Sequence, residues 1–81
     1  MIKVLFFATL REQLSCHELE VSADNINTVS ALLSHLCSQS TDWQQALSTN
    51  ILCAVNQQMA DPQHIINDGD EIAFFPPVTG G

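Results

Sequence analysis

Positive charge is almost missing from this sequence. Lys3 and Arg11 face nine carboxylates, and the net charge is -7 over 81 residues. So acidic a body repels phosphate backbones, which excludes nucleic acid as a partner. It disfavours an anionic membrane surface for the same reason. The acidity leaves two readings open, solubility or encounter with a basic protein partner. Cysteine is scarce and odd in number: Cys16, Cys37 and Cys53 form no CxxC pair, so neither a disulfide framework nor a zinc site is expected. The three histidines (His17, His35 and His64) are scattered, without HExxH or His-Cys spacing. Asp68 and Asp70 flank Gly69 as turn residues, too few for a calcium loop. No metal site is expected. No GxxxxGK[ST] run is present to cradle ATP. Long apolar runs are missing too. Met1–Ala8 starts like a secretory leader, but Arg11 and Glu12 soon interrupt it, so it reads as a strand and a cytoplasmic protein is expected.

What remains is enough for one domain. The hydrophobic fraction of 46% suits a globular chain rather than a disordered one. At this size only about 60% of the unfolded surface is buried, so stability is modest.

Residues 2 to 8 read as the first strand, with Ile2, Val4, Phe6 and Ala8 on one face and Lys3, Leu5 and Phe7 on the other. Lys3 marks the second face as the wetter one. His17 to Ser22 alternates like an edge strand, and Thr9 to Cys16 reads as a loose hairpin connection. Asn27 or Thr28 can cap a helix over 28–39. Its apolar stripe is Val29, Leu32, Leu33, Leu36 and Cys37. His35 lies beside that stripe, a boundary histidine rather than a ligand. Cys37 and Cys53 read as small core residues, and Cys16 as a loop residue. A shorter helix is expected over Asp42–Leu47, with Thr41 and Gln44 as a capping box. Ile51 to Asn56 is the third strand. A turn at Asn56-Gln57-Gln58 precedes brief pairing at Met59-Ala60, and Asp61-Pro62 and Asn67-Asp68-Gly69-Asp70 are further turns. Glu71 to Phe75 is the last strand, which Pro76-Pro77 ends. This order fits an α+β class, a β-grasp fold in which a mixed sheet wraps one main helix and a second, short one. It divides the chain into a domain over 1–75 and an extended tail over 76–81.

The tail is where chemistry is expected. Two of only three glycines are Gly80 and Gly81, an arrangement that chance gives in roughly one chain in 200 at a glycine frequency of about 7%. Pro76-Pro77 holds the preceding backbone extended and stiff. Two glycines then leave a bare carboxylate that fits a slot too narrow for any side chain. A stiff spacer with a thin tip behaves as a tethered reagent. A carboxylate becomes an acyl donor only once it carries a leaving group, and this chain has no means of binding ATP. A separate enzyme must therefore activate it.

The run Asp68-Gly69-Asp70-Glu71-Ile72-Ala73-Phe74-Phe75-Pro76-Pro77-Val78-Thr79-Gly80-Gly81 resembles the C-terminal signature of the molybdopterin synthase small subunits, which are ubiquitin-like sulfur carriers. Ile2-Lys3-Val4-Leu5-Phe6-Phe7-Ala8 with Arg11-Glu12, and Ala54-Val55-Asn56, are similar to two further motifs of that family. From about His17 to Asn50 no family motif is present.

The resemblance implies a non-catalytic sulfur-donor subunit with no cofactor of its own. An ATP-consuming adenylyltransferase of the ubiquitin-activating type would adenylate Gly81, and a sulfur donor would convert the adenylate to a thiocarboxylate. The tail, Pro76, Pro77, Val78, Thr79 and Gly80, would carry it into the large subunit of molybdopterin synthase, where cyclic pyranopterin monophosphate takes the sulfur. Two carriers on a large-subunit dimer would form a heterotetramer. The family's apolar partner contacts match Phe7, Met59 and Phe75, and Arg11 matches a position used toward the activating enzyme. Parity also makes Phe7 an exposed aromatic, and Phe75 one if its strand is unbulged. Three other readings stay open: a carrier for thiamine synthesis, a ubiquitin-like modifier of lysines, and an interaction domain with an inert tail.

Overall fold

Alternation along the first strand decides which way the sheet faces. In the computed structural model, which describes residues 1–47 and 51–76, β1 (Ile2–Phe6) buries Ile2, Val4 and Phe6 and turns Lys3 outward. Then follow α1 (Ala8–Leu14), β2 (Glu18–Val21), α2 (Val29–Cys37), α3 (Thr41–Leu47), β3 (Leu52–Val55), β4 (Gln58–Ala60) and β5 (Glu71–Phe75). The strands form one mixed sheet in the order β2-β1-β5-β3-β4. β5 runs parallel to β1, with Val4 beside Ile72 and Phe6 beside Phe74. It runs antiparallel to β3, with Cys53 opposite Phe74 and Val55 opposite Ile72. β5 thus lies in the middle of the sheet although it comes last. This is the expected β-grasp architecture.

One face of the sheet holds the core. Ile2, Val4, Phe6, Ile72 and Phe74 meet Val29, Leu32 and Leu36 of α2 and Leu10 and Leu14 of α1 in one cluster. Phe6 is its hub, with its ring stacked 6.1 Å from that of Phe74 and 5.5 Å edge-on from Trp43 of α3. Each such buried side chain contributes about 1.5–3 kcal/mol, more than any rim hydrogen bond. Among the described residues no polar or charged side chain is buried.

Thr28 caps α2, its hydroxyl accepting from the Ala31 N–H at 3.1 Å. Four local expectations give way. Thr9 to Cys16 is not a loose loop: Ala8–Leu14 is helical, because Leu10 and Leu14, four residues apart, both reach the core and Arg11, Glu12 and Gln13 between them are good helix formers. Ala8 does not share the buried face of Ile2, Val4 and Phe6. The chain turns there at φ 55, and Ala8 is exposed. The helix at Thr41 is capped by Ser40 rather than by a Thr41–Gln44 box, since the Ser40 hydroxyl accepts from the Trp43 N–H at 3.2 Å. Cys37 is only half-buried, whereas Cys53 is buried.

β3 and β4 join through two residues, Asn56 (φ 50) and Gln57 (φ 70). Two positive φ values make this the mirror-image turn that matches strand twist, and asparagine followed by glycine suits it best. Gln57→Gly is therefore expected to stabilise the domain by about 0.5–1 kcal/mol. Thermal unfolding should rise by a few degrees, and calorimetry of the two proteins measures it.

Candidate functional site

Register assembles the outer face of the sheet from residues far apart in sequence. Leu5 pairs with Ala73, Ala73 with Ala54, and Ala54 with Met59. One row of apolar side chains therefore crosses four strands. The next row toward the end of β5 holds Leu52 opposite Phe75. Phe7 lies beside it, because its N–H donates to the Phe74 carbonyl at 3.1 Å and it keeps an extended backbone. Phe7 is 47% exposed and Met59 63%. Phe75 is half-buried, and the unbroken alternation of β5 puts it opposite Ile72 and Phe74. Two exposed large apolar side chains on one surface of a small domain make it a candidate contact surface.

Three of the four expected interface residues, Phe7, Met59 and Phe75, thus share this face. Arg11 does not join them. It is exposed on α1, beside Ala8, Thr9 and Glu12 along a shallow cleft, and pairs with no carboxylate among the described residues. Sequence reading missed Leu5, Leu52, Ala54 and Ala73. Their signal was the outward parity on β1, β3 and β5, which gains meaning only once the strand order is known.

The outer face changes character along the strands. Past the apolar rows, Lys3 stands between Glu20 and Glu71, and its ammonium is 3.9 Å from Glu18. Beyond it a polar lock closes the start of β5. Asn56 is its centre: its side-chain carbonyl accepts from the Glu71 N–H at 3.0 Å, and its amide donates to Asp70 at 3.1 Å. The other Asp70 oxygen accepts from the Asn67 N–H at 2.8 Å. The Asp70 carbonyl accepts from the Lys3 N–H, and the Met1 carbonyl from the Gly69 N–H. The N-terminal ammonium pairs with Asp68. Gly69 stands at φ 93 in this turn, where a side chain would be strained. Two sequence motifs, Ala54-Val55-Asn56 and Asp68-Gly69-Asp70-Glu71, therefore meet in one hydrogen-bonded cluster at the far end of β5 from Pro76.

Nothing in the described residues gathers a catalytic or metal-binding set. No group of His, Cys, Asp and Glu there could hold a metal ion. Cys53 is buried, and desolvation pushes its thiol up to about 11, far from the thiolate that reacts. Cys16 is half-buried, its thiol 3.5 Å from the Glu18 carbonyl. Pro76 follows the end of β5 and is half-buried. Pro77, Val78, Thr79, Gly80 and Gly81, which carry the expected chemistry, lie outside the described residues, and with them most of the expected 76–81 segment.

A β-grasp sheet with β5 at its centre and an apolar outer face defines a ubiquitin-like protein. Within that class the chain belongs to the ThiS family, which it matches over residues 4–81. It is 52% identical to the molybdopterin synthase sulfur carrier subunit of Escherichia coli K12, over 100% of both chains. Relatives from Haemophilus influenzae and Mycobacterium tuberculosis carry the same name, at 40% and 35% identity. In structure it is similar to the small archaeal modifier protein 1 of Methanosarcina acetivorans (TM-score 0.80, 26% identity, 99% of this chain and 95% of that one). It is also similar to a chain in the complex of subunits 1 and 2 of the molybdopterin-converting factor of Helicobacter pylori (TM-score 0.70, 26% identity, 99% and 97%). No helix among the described residues is long and apolar enough to cross a membrane.

The polar lock makes a pH test. The Asn67 N–H first, then the Asn56 amide, hold the Asp70 carboxyl below the usual carboxylate value. The N-terminal ammonium does the same for Asp68. A carboxyl lowered on folding stabilises the fold above its unfolded value, about 3.9. That contribution is lost as pH falls through the folded value. Thermal melts from about pH 6 to about pH 3 should therefore show stability falling at the acid end. Asp70→Asn leaves a donor facing a donor, so it should lower stability near neutrality and flatten the acid slope.

Proposed function

We propose that this protein is the sulfur-carrier subunit of a molybdopterin synthase, working in the cytoplasm. The observation that carries the reading is the placement of β5. The strand leading to Pro76 lies at the centre of the sheet, and its outer side ends beside Phe7, Phe75 and Leu52. A partner seated on those apolar rows would receive the tail at the margin of its own contact surface. The full-length identity to the Escherichia coli carrier and the complexed Helicobacter pylori relative support it.

The chemistry follows from the terminal carboxylate. An oxygen of Gly81 attacks the α-phosphorus of ATP on a separate adenylyltransferase, and pyrophosphate leaves. Sulfur supplied as a persulfide by a donor protein then attacks the acyl carbon. AMP leaves, and a thiol of the donor system attacks the donor-side sulfur of the resulting acyl disulfide, so that a new disulfide forms on the donor and the thiocarboxylate is released. In the active site of the large subunit that sulfur attacks a carbon of cyclic pyranopterin monophosphate and displaces an oxygen substituent from it, and hydrolysis of the resulting thioester leaves the sulfur on the pterin and returns the carboxylate of Gly81. The carrier would contribute reach: the stiffness of a Pro76-Pro77 sequence, the length of Val78-Thr79 and the lack of a side chain at Gly80 suit a tip that enters a narrow slot. Phe7, Met59 and Phe75 dock on the large subunit. Arg11, off that face on α1, is free to meet the activating enzyme.

The modifier reading draws on the archaeal relative of similar fold. The product separates the two. With an activating enzyme, ATP and a sulfur source, a carrier gains the mass difference of one sulfur for one oxygen at Gly81, whereas a modifier forms larger conjugates on lysines.

Two outcomes are expected. One residue added after Gly81 displaces the reacting carbon by about 3.5 Å, and even 1 Å can cost about 100-fold. Sulfur transfer should therefore be abolished while the circular dichroism spectrum stays unchanged. Full activity of the extended protein, shown intact by mass spectrometry, would refute the reading. Phe75→Ala should weaken binding to the large subunit by about tenfold or more, as expected for a buried aromatic anchor, while thermal stability falls less. Titration calorimetry and melting curves measure the two separately.

A further inference from the structure

β2 is an outer strand of the sheet, paired on one side only. The Phe6 N–H donates to the His17 carbonyl, and the Val4–Leu19 and Ile2–Val21 pairs continue the same alternation. In an antiparallel ladder this turns the backbone groups of Leu19 and Val21 toward β1 and those of Glu18 and Glu20 outward. The Glu18 carbonyl takes the Cys16 thiol. The N–H and C=O of Glu20 meet no protein partner among the described residues. Alongside this open edge runs a cleft of about 300 Å³ between β2 and α2, with Leu19, Val21, Ile26 and Leu36 on its floor and Glu20 and Asp24 on its rim.

We propose that β2 and this cleft form a second docking site, which takes an extended basic segment of a partner protein as a sixth strand. Strand addition satisfies the outward backbone groups of Glu20. Side chains of an added strand alternate between the two faces. One set enters the cleft and covers Leu19 and Ile26, so it is apolar. The other set lies on the outer face beside Glu18 and Glu20, so it is lysine or arginine. A second copy of this chain does not fit, because edge-to-edge pairing would set these glutamates against each other. The cleft lies beside Ile2 and Val21, whereas the tail leaves beyond Phe6 and Phe74, about 13 Å along the strand. A partner held here leaves the Phe7–Phe75 end of the sheet clear, so two partners bind at once. The docking itself stands without the sulfur-carrier reading.

The test is a ¹⁵N NMR titration of the full chain with the peptide acetyl-Lys-Val-Lys-Val-Lys-Val-Lys-amide. Shifts should be confined to residues 18–26 and 35–39, with slowed exchange of the Glu18 and Glu20 amides. A peptide of the same composition with its lysines and valines in two blocks should bind about tenfold more weakly or worse, because its side chains then fall on the wrong faces, the weight of one apolar side chain left out of the cleft. Glu20→Lys should weaken the alternating peptide by a similar factor. Glu20→Pro removes the outward N–H without touching the ladder to β1 and should do the same, its own spectrum reporting its fold. No binding, equal binding of both peptides, shifts centred on Leu5, Ala73 and Met59, or self-association of the free chain would each overturn the proposal.

Discussion

The parallel run of β1 against β5 is the constraint from which the rest follows. It brings Lys3 beside Glu71 and Phe6 beside Phe74, joining the first and last strands. It leaves β3 to close the other side of β5. Because β5 is flanked on both sides, its inner residues, Ile72 and Phe74, are wholly buried and its path is fixed. Phe6 then stacks on Phe74 and meets Trp43 edge-on, so α3 is held by the same pairing that positions the segment leading to Pro76.

The two ends of β5 are built differently. Its start is held by hydrogen bonds centred on Asn56 and Asp70, short-range and geometrically exact ties that fix register. Its finish is apolar, with Phe7, Phe75 and Leu52 on the outer side. Directional bonds suit the end that must not slip, since a one-residue shift would exchange the two faces of the strand. Non-directional apolar surface suits the end that we propose meets another protein.

Much of this was legible along the chain. Alternation in β1 and β5 separated Ile2, Val4 and Phe6 from Lys3 and Phe7, and the Thr28 cap and the Val29–Leu36 stripe marked α2. Local signals of this kind depend only on near neighbours. α1 escaped because seven residues with two core anchors, Leu10 and Leu14, offer little periodicity to read. The Ser40 cap escaped because Thr41 next to it has the same chemistry. The apolar rows through Ala73, Ala54 and Met59, and the meeting of Asn56 with Asp70, depend on strand order, which no local pattern encodes. Of the candidate site, the outward placement of Phe7 and Phe75 is readable from parity, while Arg11 lies on a helix too short for periodicity to reveal.

A strand gripped on both flanks also has mechanical consequences. Tension applied through Pro76 acts along the axis of β5. It loads the hydrogen bonds to β1 and β3 together, in shear, instead of peeling them apart one after another as it would on an outer strand such as β4. A segment anchored this way resists being drawn out of the sheet by a pull on Pro76.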